Sequence, residues 1–409
     1  MADHGALGEA VGTLALVDHH VHQALGSDVP RAAFEEQITE SDRPAPPGTT
    51  QFDSQLGFAI RRWCAPVLGL PPSGPAEEYL ARRAELGPER ATGLLLRATG
   101  VACFLIDTGY VLDTMLSLPE MAAASGAEAA EIVRLEQVAE QVITAGDGTA
   151  AGFADRYRAA LWDRTRNALG LKSIMAYRHG LDFDPDPPAP AAVSEAAGRW
   201  LREIEAGGAV LARGGGPPEP PAGFRPGSSV TGPKAVRVTD PVLLRHVLWA
   251  GVDRGLPVQF HTGFGDPDCD LRRSDPLWLR GFLERCEPRG VPIMLLHCYP
   301  FHRNAAALAQ AYPHVYLDVG MTLHYVGARA AAVVAESLEL APFAKVLFSS
   351  DAAGPAELHY LGALLWRRAT AEVLGGWVES GDWSVGDAIR VARMIGAENA
   401  RRVYRLPEP

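Results

Sequence analysis

Short apolar runs alternate with amphipathic stretches along most of the 409-residue chain. Eight of the runs have strand character, and the segments between them carry helical patterns. The runs are Leu14 to Val17, Val101 to Ile106, Ile132 to Leu135, Leu169 to Ala176, Pro257 to Phe260, Pro292 to Leu296, Val315 to Val319 and Val346 to Phe348. Strands that alternate with helices favour a parallel sheet, and eight such units predict an α/β fold of the (β/α)8 TIM-barrel type.

Two segments interrupt this alternation of predicted strands and helices. Residues 23–98, between the first two predicted strands, include helical patterns such as Glu77 to Arg90 and predict a helical cap over the barrel mouth. Residues 184–236 are rich in proline and glycine around a helical stretch from Val193 to Glu205, and predict a loop-and-helix insertion between strands 4 and 5. We therefore expect one barrel domain over residues 1–409 with two insertions.

The composition is that of an ordinary globular enzyme, with 47% hydrophobic and 21% charged residues. The net charge of −11 argues against a nucleic-acid-binding protein, because no basic stripe is available to displace counterions from phosphates. The five cysteines are odd in number and show no CxxC spacing, so we expect a reducing, cytoplasmic setting. Since we find neither a signal-peptide pattern nor an apolar stretch of about 18 residues, we expect neither secretion nor membrane insertion.

A candidate metal site begins at the end of the first predicted strand. His20 and His22 form an HxH pair there, and the two-residue period of a strand points both imidazoles to the same side. Asp18 shares that parity, although an acidic residue in this place can equally bond to the backbone or orient a ligand. An HxH pair alone is a weak signal, because a chain with 12 histidines can form such a cluster incidentally.

Three further polar residues end predicted strands. His261 follows the fifth run, His297 the sixth and Asp351 the eighth. The carboxyl ends of all strands in a parallel barrel open onto one face, so these side chains should converge with the HxH pair. A lone histidine at a strand end is more often a structural residue, and an Asp there can cap a helix, but the joint pattern favours metal ligands. Asp351 could also exchange protons with a metal-activated water.

Lys172 ends the fourth predicted strand and differs in kind from the other candidates. A free ammonium group has no lone pair to offer a metal. The residue therefore belongs to the site only if its side chain is carboxylated to a carbamate, or if it donates a hydrogen bond to substrate.

With these residues in place, the sequence resembles the amidohydrolase superfamily. The order HxH, Lys, His, His, Asp on strands one, four, five, six and eight is similar to the variant in which a carboxylated lysine bridges two metals. The stretches 171–181, 261–272 and 297–301 resemble its FluG-type, amidohydrolase-2-like branch. In that branch the barrel stands alone or is fused to a glutamine-synthetase-like domain. The likeness is dense over 169–181 and 256–362 and faint across the cap.

The resemblance implies a ligand set and a chemistry. The more buried ion would be held by His20, His22 and Asp351, the more exposed ion by His261 and His297, and a carboxylated Lys172 would bridge the two. The implied cofactor is a divalent metal, zinc above all and two ions if the lysine is carboxylated, with manganese or iron also suitable. Asp351 would pass a proton from the attacking hydroxide to the leaving amine. Residues 351–357 differ from the usual pattern of the branch, which leaves the substrate open.

Substrate recognition is expected from loops at the same face of the barrel. Arg178 and Arg272 are candidate clamps for a substrate carboxylate, because the guanidinium fork matches carboxylate geometry. Arg178 can alternatively pair with an acidic neighbour such as Asp182. Further candidate substrate-binding residues are Tyr177, Glu136 and His359.

These features predict an enzyme, a metal-dependent amidohydrolase that cleaves a C–N amide bond of a small substrate. The resemblance points to γ-glutamyl or N-acyl amides that bear a carboxylate, although one fold hosts many chemistries. Two alternatives stay open: a mononuclear decarboxylase of the same superfamily, which Lys172 disfavours, and a catalytically silent metal-binding barrel with a regulatory or scaffolding role. The expected partner is a small molecule rather than nucleic acid or a membrane, and assembly into a homo-oligomer stays open.

Overall fold

The computed structural model describes residues 2–110, 114–145, 148–213 and 236–407. Within them, seven parallel strands follow one another in chain order, and each is hydrogen-bonded to the next. The strands are β1 (Leu16–Val21), β2 (Val101–Asp107), β3 (Glu128–Arg134), β4 (Gly170–Ser173), β5 (Val258–Thr262), β6 (Ile293–His297) and β7 (Val315–Leu317). The α/β barrel fold predicted from the sequence is thereby confirmed.

Helices connect and surround the strands. They are α1 (Ala2–Thr13), α2 (Arg31–Glu36), α3 (Gln55–Ala59), α4 (Ala65–Val67), α5 (Ala76–Leu86), α6 (Pro88–Ala98), α7 (Leu118–Ser125), α8 (Leu135–Thr144), α9 (Phe153–Arg164), α10 (Met175–Arg178), α11 (Pro190–Arg213), α12 (Pro241–Arg254), α13 (Arg280–Cys286), α14 (His302–Ala311), α15 (Thr322–Val326), α16 (Ala330–Ser337), α17 (Ala356–Glu379), α18 (Val385–Arg393) and α19 (Asn399–Tyr404). Two π-helical turns, Ile60–Cys64 and Met394–Glu398, join α3 to α4 and α18 to α19. Over the described ranges, no helix has both the length and the apolar character needed to cross a membrane.

The eighth predicted strand closes the barrel without forming a regular ladder. Residues 346–348 make one isolated parallel bridge, between Val346 and Leu317. The backbone N–H of residue 347 donates to Leu317 O (3.0 Å), and His19 N donates to Phe348 O (3.2 Å), so the segment lies between β7 and β1. The ladder is interrupted because Phe348 N donates instead to Ile395 O. Hydrogen bonds from Asp351 N to His20 O (3.0 Å) and from His22 N to Ala352 O (2.9 Å) continue this pairing across the seam of the barrel, the junction of the eighth segment with β1.

Two other strands have different bounds from those predicted. The run Leu169 to Ala176 forms a strand only as far as Ser173, because Glu136 Oε1 accepts hydrogen bonds from Ser173 Oγ (2.7 Å) and Ile174 N (3.0 Å) and turns the chain into α10. Strand β3 begins earlier than predicted, since its first half is exposed or half-buried and forms no apolar run.

The two predicted insertions contain helices where the structure describes them. The segment 23–98 carries α2 to α6, and Gly87, at φ 76°, separates α5 from α6 where a single helix was predicted. The segment 184–236 carries α11, which spans the predicted Val193 to Glu205 helix. Its Gly214 to Pro218 run lies outside the described residues. The assignment of residues 1–409 to one domain with these two insertions stays a prediction.

The two-residue period of the strands divides their side chains between two packing layers. Val17, Leu105 and Leu296 form one buried cluster with Tyr404 of α19. Alternate positions such as Phe104 join the larger core that includes the surrounding helices. The C-terminal helix is thus part of the inner layer, and its tyrosine reaches the residues beneath the strand ends.

A buried network of charges joins the helices of the first insertion to α17. Arg83, which is 1% exposed, donates from Nε to Glu357 Oε1 (2.9 Å) and from Nη1 to Asp28 Oδ1 (2.7 Å). The hydroxyl of Tyr79 donates to the same glutamate oxygen (2.8 Å). Because Glu357 is fully buried in the first turn of α17, the position of α5 depends on charges that have been removed from water.

We expect Glu357→Ala to lower the free energy of unfolding by about 3–5 kcal/mol, because it leaves a buried guanidinium with a single acidic partner. Guanidinium denaturation followed by circular dichroism measures the change. The matched control is Asp163→Ala, which breaks the exposed pair with Arg166 and should leave the midpoint where it is. Equal midpoints for the two variants would show that the buried network does not stabilise the fold.

Candidate metal centre

The strand ends bring six polar side chains to one end of the barrel. Asp351 lies at their centre: its Oδ1 is 2.9 Å from His20 Nε2 and 3.5 Å from His22 Nε2, and its Oδ2 is 3.3 Å from His297 Nδ1. Lys172 Nζ lies 3.3 Å from His20 Nε2, and the ring centroids of His261 and His297 are 4.8 Å apart. The six residues proposed from the sequence as ligands are therefore neighbours, and their metal binding stays a prediction.

Gln259 fixes the position of the proton on His20. Its amide Nε2 donates to His19 O (2.7 Å) and lies 2.8 Å from the hydroxyl of Tyr404. Because a carbonyl oxygen can only accept, this contact orients the amide so that its Oε1 faces His20 Nδ1 at 2.8 Å. His20 Nδ1 therefore carries the proton, and Nε2 offers a free lone pair.

His22 is held in the same tautomer. Its Nδ1 lies 3.1 Å from the backbone oxygen of Asp107, which can only accept, so the proton is on Nδ1 and the lone pair is on Nε2. The free Nε2 atoms of both histidines of the HxH pair thus face the carboxylate of Asp351.

The donor atoms face one another without a proton to share, and this arrangement fits a metal ion. His20 Nε2 and Asp351 Oδ1 are 2.9 Å apart although both are acceptors. Burial lowers the pKa of His20 to about 3, which disfavours a proton between them at neutral pH. Two acceptors this close repel each other unless a cation lies between them. Imidazole and carboxylate are donors that divalent transition metals prefer.

Two groups of side chains have donor atoms within 4.8 Å of one another, namely His20 with His297 and Asp351, and His20 with His22 and Asp107. In the second group the carboxylate is already engaged, since its Oδ1 accepts from the backbone N–H of residue 109 (2.8 Å) and its Oδ2 from Arg134 Nη2 (2.7 Å). The group that contains Asp351 is therefore the better candidate for an ion.

His261 and His297 extend the donor set onto β5 and β6. Over the described ranges, His261 Nε2 is buried and has no hydrogen-bond partner, which is unusual for a polar atom unless it has an unseen partner such as an ion. Burial lowers the pKa of His261 well below its usual value and that of His297 to about 4. Both imidazoles are therefore neutral and able to ligate.

The backbone is strained at three positions around these donors. His297, Cys298 and Asp351 have φ values of 65°, 61° and 48°, in the left-handed region that costs a non-glycine residue about 1–3 kcal/mol. Hydrogen bonds hold the strained residues, from His297 N to Asp318 Oδ1 (2.9 Å) and from Asp351 N to His20 O (3.0 Å). Such strain is concentrated at functional sites.

Two aspartates beneath the donors bind neighbouring segments together. Asp318 accepts from His19 Nε2 with its Oδ2 (2.9 Å), while its Oδ1 holds the backbone of β6. Asp18 accepts from Ser350 N (2.9 Å) and Ser350 Oγ (2.5 Å). Of the two roles considered for Asp18, the structure therefore shows the bond to the backbone, and this bond crosses the barrel seam next to Asp351.

A pocket that is open to solvent leads to the donor atoms. It is lined by His22, Lys172, His261, His297 and Asp351 of the candidate ligands. The other polar residues that line it include Glu36, Glu40, Tyr110, Arg134, Tyr177, Asp266, His324 and Tyr325. The candidate metal centre is thus accessible to a small molecule.

Of the predicted substrate-binding residues, Tyr177 lines the pocket, with its ring centroid 4.3 Å from that of His261. Arg178 does not, because it forms a buried ion pair with Glu140 (3.0 Å) rather than with the Asp182 considered from the sequence. Arg272 is exposed and pairs with an aspartate of its own loop. Neither arginine is among the residues that line the pocket, and their role as carboxylate clamps stays a prediction.

Glu136 and His359 also lie outside the pocket lining, and both support residues that form it. Glu136 ends β4 directly after Lys172 through its bonds to the two following residues. His359 Nε2 lies 3.0 Å from the backbone oxygen of His22. Their places fit positioning of the candidate ligands rather than contact with substrate.

Several residues at the site were missed from the sequence. Asp107, Arg134 and Asp318 each end or directly follow a strand, so the rule that found the ligands could also have found them. Gln259 lies inside a strand and looks like an ordinary buried position. The polar residues that α2 and α15 contribute to the pocket show no recognisable pattern in the sequence. Their position at the pocket depends on how the first insertion folds over the barrel.

The chain is similar to known proteins in both sequence and fold. A family model described as amidohydrolase matches residues 120–406. The protein fluG of Emericella nidulans is 26% identical over the whole chain, which spans 48% of that relative, about half its length. A solved structure from Lactobacillus casei, provisionally named a metal-dependent hydrolase, is 24% identical with a TM-score of 0.78, covering 98% of this chain and 97% of that one. A glucuronate isomerase of Caulobacter crescentus shares the fold at 14% identity with a TM-score of 0.61, covering 100% and 95%.

We expect Gln259→Met to weaken metal binding about 10–100-fold, because His20 loses the partner that fixes its tautomer. Competition with a chromogenic chelator measures the affinity of the purified protein. Gln141→Met, on the exposed face of α8, is the matched control and should bind metal as the wild type does. Unchanged affinity in the Gln259 variant would contradict the argument from hydrogen bonds.

Proposed function

Because the chain belongs to the amidohydrolase family, we propose that it is a metal-dependent hydrolase that cleaves the C–N bond of a small amide. The observation that carries the proposal is the set of neutral imidazoles around the Asp351 carboxylate at the end of an open pocket. The provisional name of the Lactobacillus casei protein, which has the same fold, agrees with it.

The candidate ligands would have the following roles. One ion would be held by His20, His22 and Asp351, a second by His261 and His297, with Lys172 between them. A divalent ion bound by such donors supplies Lewis acidity to a carbonyl oxygen and makes water acidic enough to react near neutral pH. A divalent ion held by these donors would favour the ionised form of the Asp351 carboxylate.

The ionised Asp351 accepts a proton from water at its carboxylate and returns it to the departing nitrogen. The oxygen of water joins the carbonyl carbon, the C–N bond breaks, and an acid and an amine leave.

Lys172 is suited to carboxylation. Burial lowers its pKa to about 8, so about a tenth of the amine is neutral at pH 7. A neutral amine adds to carbon dioxide through its nitrogen and releases a proton, which yields a carbamate with two oxygens for two ions. Zinc is the first metal to test, with manganese and iron next.

The γ-glutamyl and N-acyl amides implied by the resemblance are the first substrates to test. With Lys172 carboxylated, the cationic side chain among the described residues that line the pocket is Arg134, so a carboxylate on the substrate would meet that guanidinium. The mononuclear decarboxylase is the second candidate, and the position of Lys172 beside His20 disfavours it.

Elemental emission on purified protein, together with a panel of γ-glutamyl and N-acyl amides, tests the proposal. We expect two metal ions per chain and release of free amine from at least one member. Lys172→Ala should retain one ion or fewer and lose at least about a hundredfold in rate. Labelling with ¹³C-bicarbonate should give a carbamate resonance in the wild type that is missing from this variant.

Asp163→Ala, at an exposed site, is the control for handling and should behave as the wild type. One ion, a bare lysine and release of carbon dioxide from a carboxylic acid would favour the decarboxylase. A metal-loaded protein that cleaves no amide of the panel, or a protein that retains no metal, would contradict the hydrolase.

A further inference from the structure

The Tyr177 hydroxyl lies beside the donor atoms, at the start of the segment that follows β4. Tyr177 belongs to α10 (Met175–Arg178), and its ring centroid is 4.3 Å from that of His261. A Cβ placed on Gly265, in the loop after β5, would collide with the Tyr177 hydroxyl and would lie 2.9 Å from His261 Nε2. The phenol oxygen is therefore close to the nitrogen that would bind the more exposed ion.

These two neighbouring atoms have no partner within the described part of the chain. His261 Nε2 is buried without a hydrogen bond, and the Tyr177 hydroxyl forms none with a described residue. Tyr177 is only partly buried and lines the pocket, so a bound molecule can contact it. Polar atoms inside proteins are nearly always hydrogen-bonded or bound to an ion, so the two atoms indicate that a further group binds beside them.

The helix α10 is anchored on both sides of Tyr177. Where the helix begins, Glu136 Oε1 accepts a hydrogen bond from Ile174 N (3.0 Å). Arg178, the next residue along the chain, forms a buried ion pair with Glu140 of α8 (3.0 Å). Donors that are held in place before a reaction stabilise developing charge most effectively, because they do not have to reorient. The Tyr177 hydroxyl has the setting of such a donor.

We propose that the Tyr177 hydroxyl donates a hydrogen bond to the carbonyl oxygen of the scissile bond and stabilises the negative charge that this oxygen gains during hydrolysis. When the oxygen of water joins the carbonyl carbon, the electron pair of the C=O π bond moves onto the carbonyl oxygen, and it returns as the C–N bond breaks. A phenol is protonated at neutral pH and keeps its proton through both steps. The inference rests on the proposed function for the identity of the reacting bond, and it adds Tyr177 to the catalytic residues.

Tyr177→Phe removes the hydroxyl and keeps the ring, so the variant should fold and bind metal as the wild type does. With the amide of the panel that is cleaved fastest, we expect kcat to fall about 100–1000-fold and KM to change by less than about threefold, because this hydrogen bond strengthens as the oxygen becomes charged. Tyr312→Phe, which loses a surface hydrogen bond to Glu284 (3.0 Å), is the matched control and should leave both constants unchanged.

A binding measurement tests the inference without turnover. Methylphosphonate carries charged oxygens on a tetrahedral centre, as the carbonyl carbon does once water has joined it. We expect its affinity for the zinc-loaded full chain, measured by isothermal titration calorimetry, to fall at least about tenfold in Tyr177→Phe, because hydrogen bonds to charged groups are the stronger ones. Tyr312→Phe should bind methylphosphonate as the wild type does, and elemental emission should find equal metal in all three proteins.

The outcomes separate this inference from the proposed function. Weaker methylphosphonate binding by Tyr177→Phe, in a protein that cleaves no amide of the panel, supports the donor role of the hydroxyl and counts against the hydrolase. Hydrolysis with an unchanged kcat in Tyr177→Phe overturns the inference and leaves the hydrolase standing. The inference is also overturned if the variant loses metal, which would show a structural role, or if the wild type binds no methylphosphonate.

Discussion

The structure depends on one electrostatic constraint: hydrogen-bond acceptors are buried together at the end of the barrel with too few protons between them. Asp351 lies within 2.9–3.5 Å of nitrogens on three histidines, and burial disfavours the protonated form of two of them. Such an arrangement is unfavourable without a cation. Backbone strain at His297 and Asp351, and the hydrogen bonds that hold it, are consistent with a scaffold that keeps these donors in place.

The scaffold positions the candidate ligands through residues that do not line the pocket. Tyr404 of the last helix contacts Gln259, which in turn fixes His20, so the inner core and the donor geometry are connected by two hydrogen bonds. Asp318 similarly connects the backbone of β6 to His19 of β1. Because Gln259 Oε1 can only accept, it decides which nitrogen of His20 is free. The chemistry of the site is thus set by residues one layer further in.

Much of the barrel and the candidate ligands could be predicted, because strand periodicity and the convergence of strand ends are local rules that a sequence displays directly. The same rules do not indicate which of several possible partners a side chain binds. Arg178 has the right type and place for a substrate clamp, yet Glu140 on α8 engages it, and only the packing of α8 against the barrel reveals this. The pocket residues Glu36 and Glu40 escaped prediction for a related reason, since they come from an insertion whose path over the barrel has no periodic signature.

The barrel seam has a consequence for the order of events as the chain folds. Asp18 and Ser350, 332 positions apart, bond across the seam beside Asp351. Contacts of such long range form late, because the entropy of closing a large loop must be overcome first. Since the imidazole donors precede Asp351 in the chain, we expect the donor set to be complete only when the seam has closed. Complete assembly of the donor set would then indicate that the barrel has closed, and an ion bound by these donors would stabilise the closed barrel.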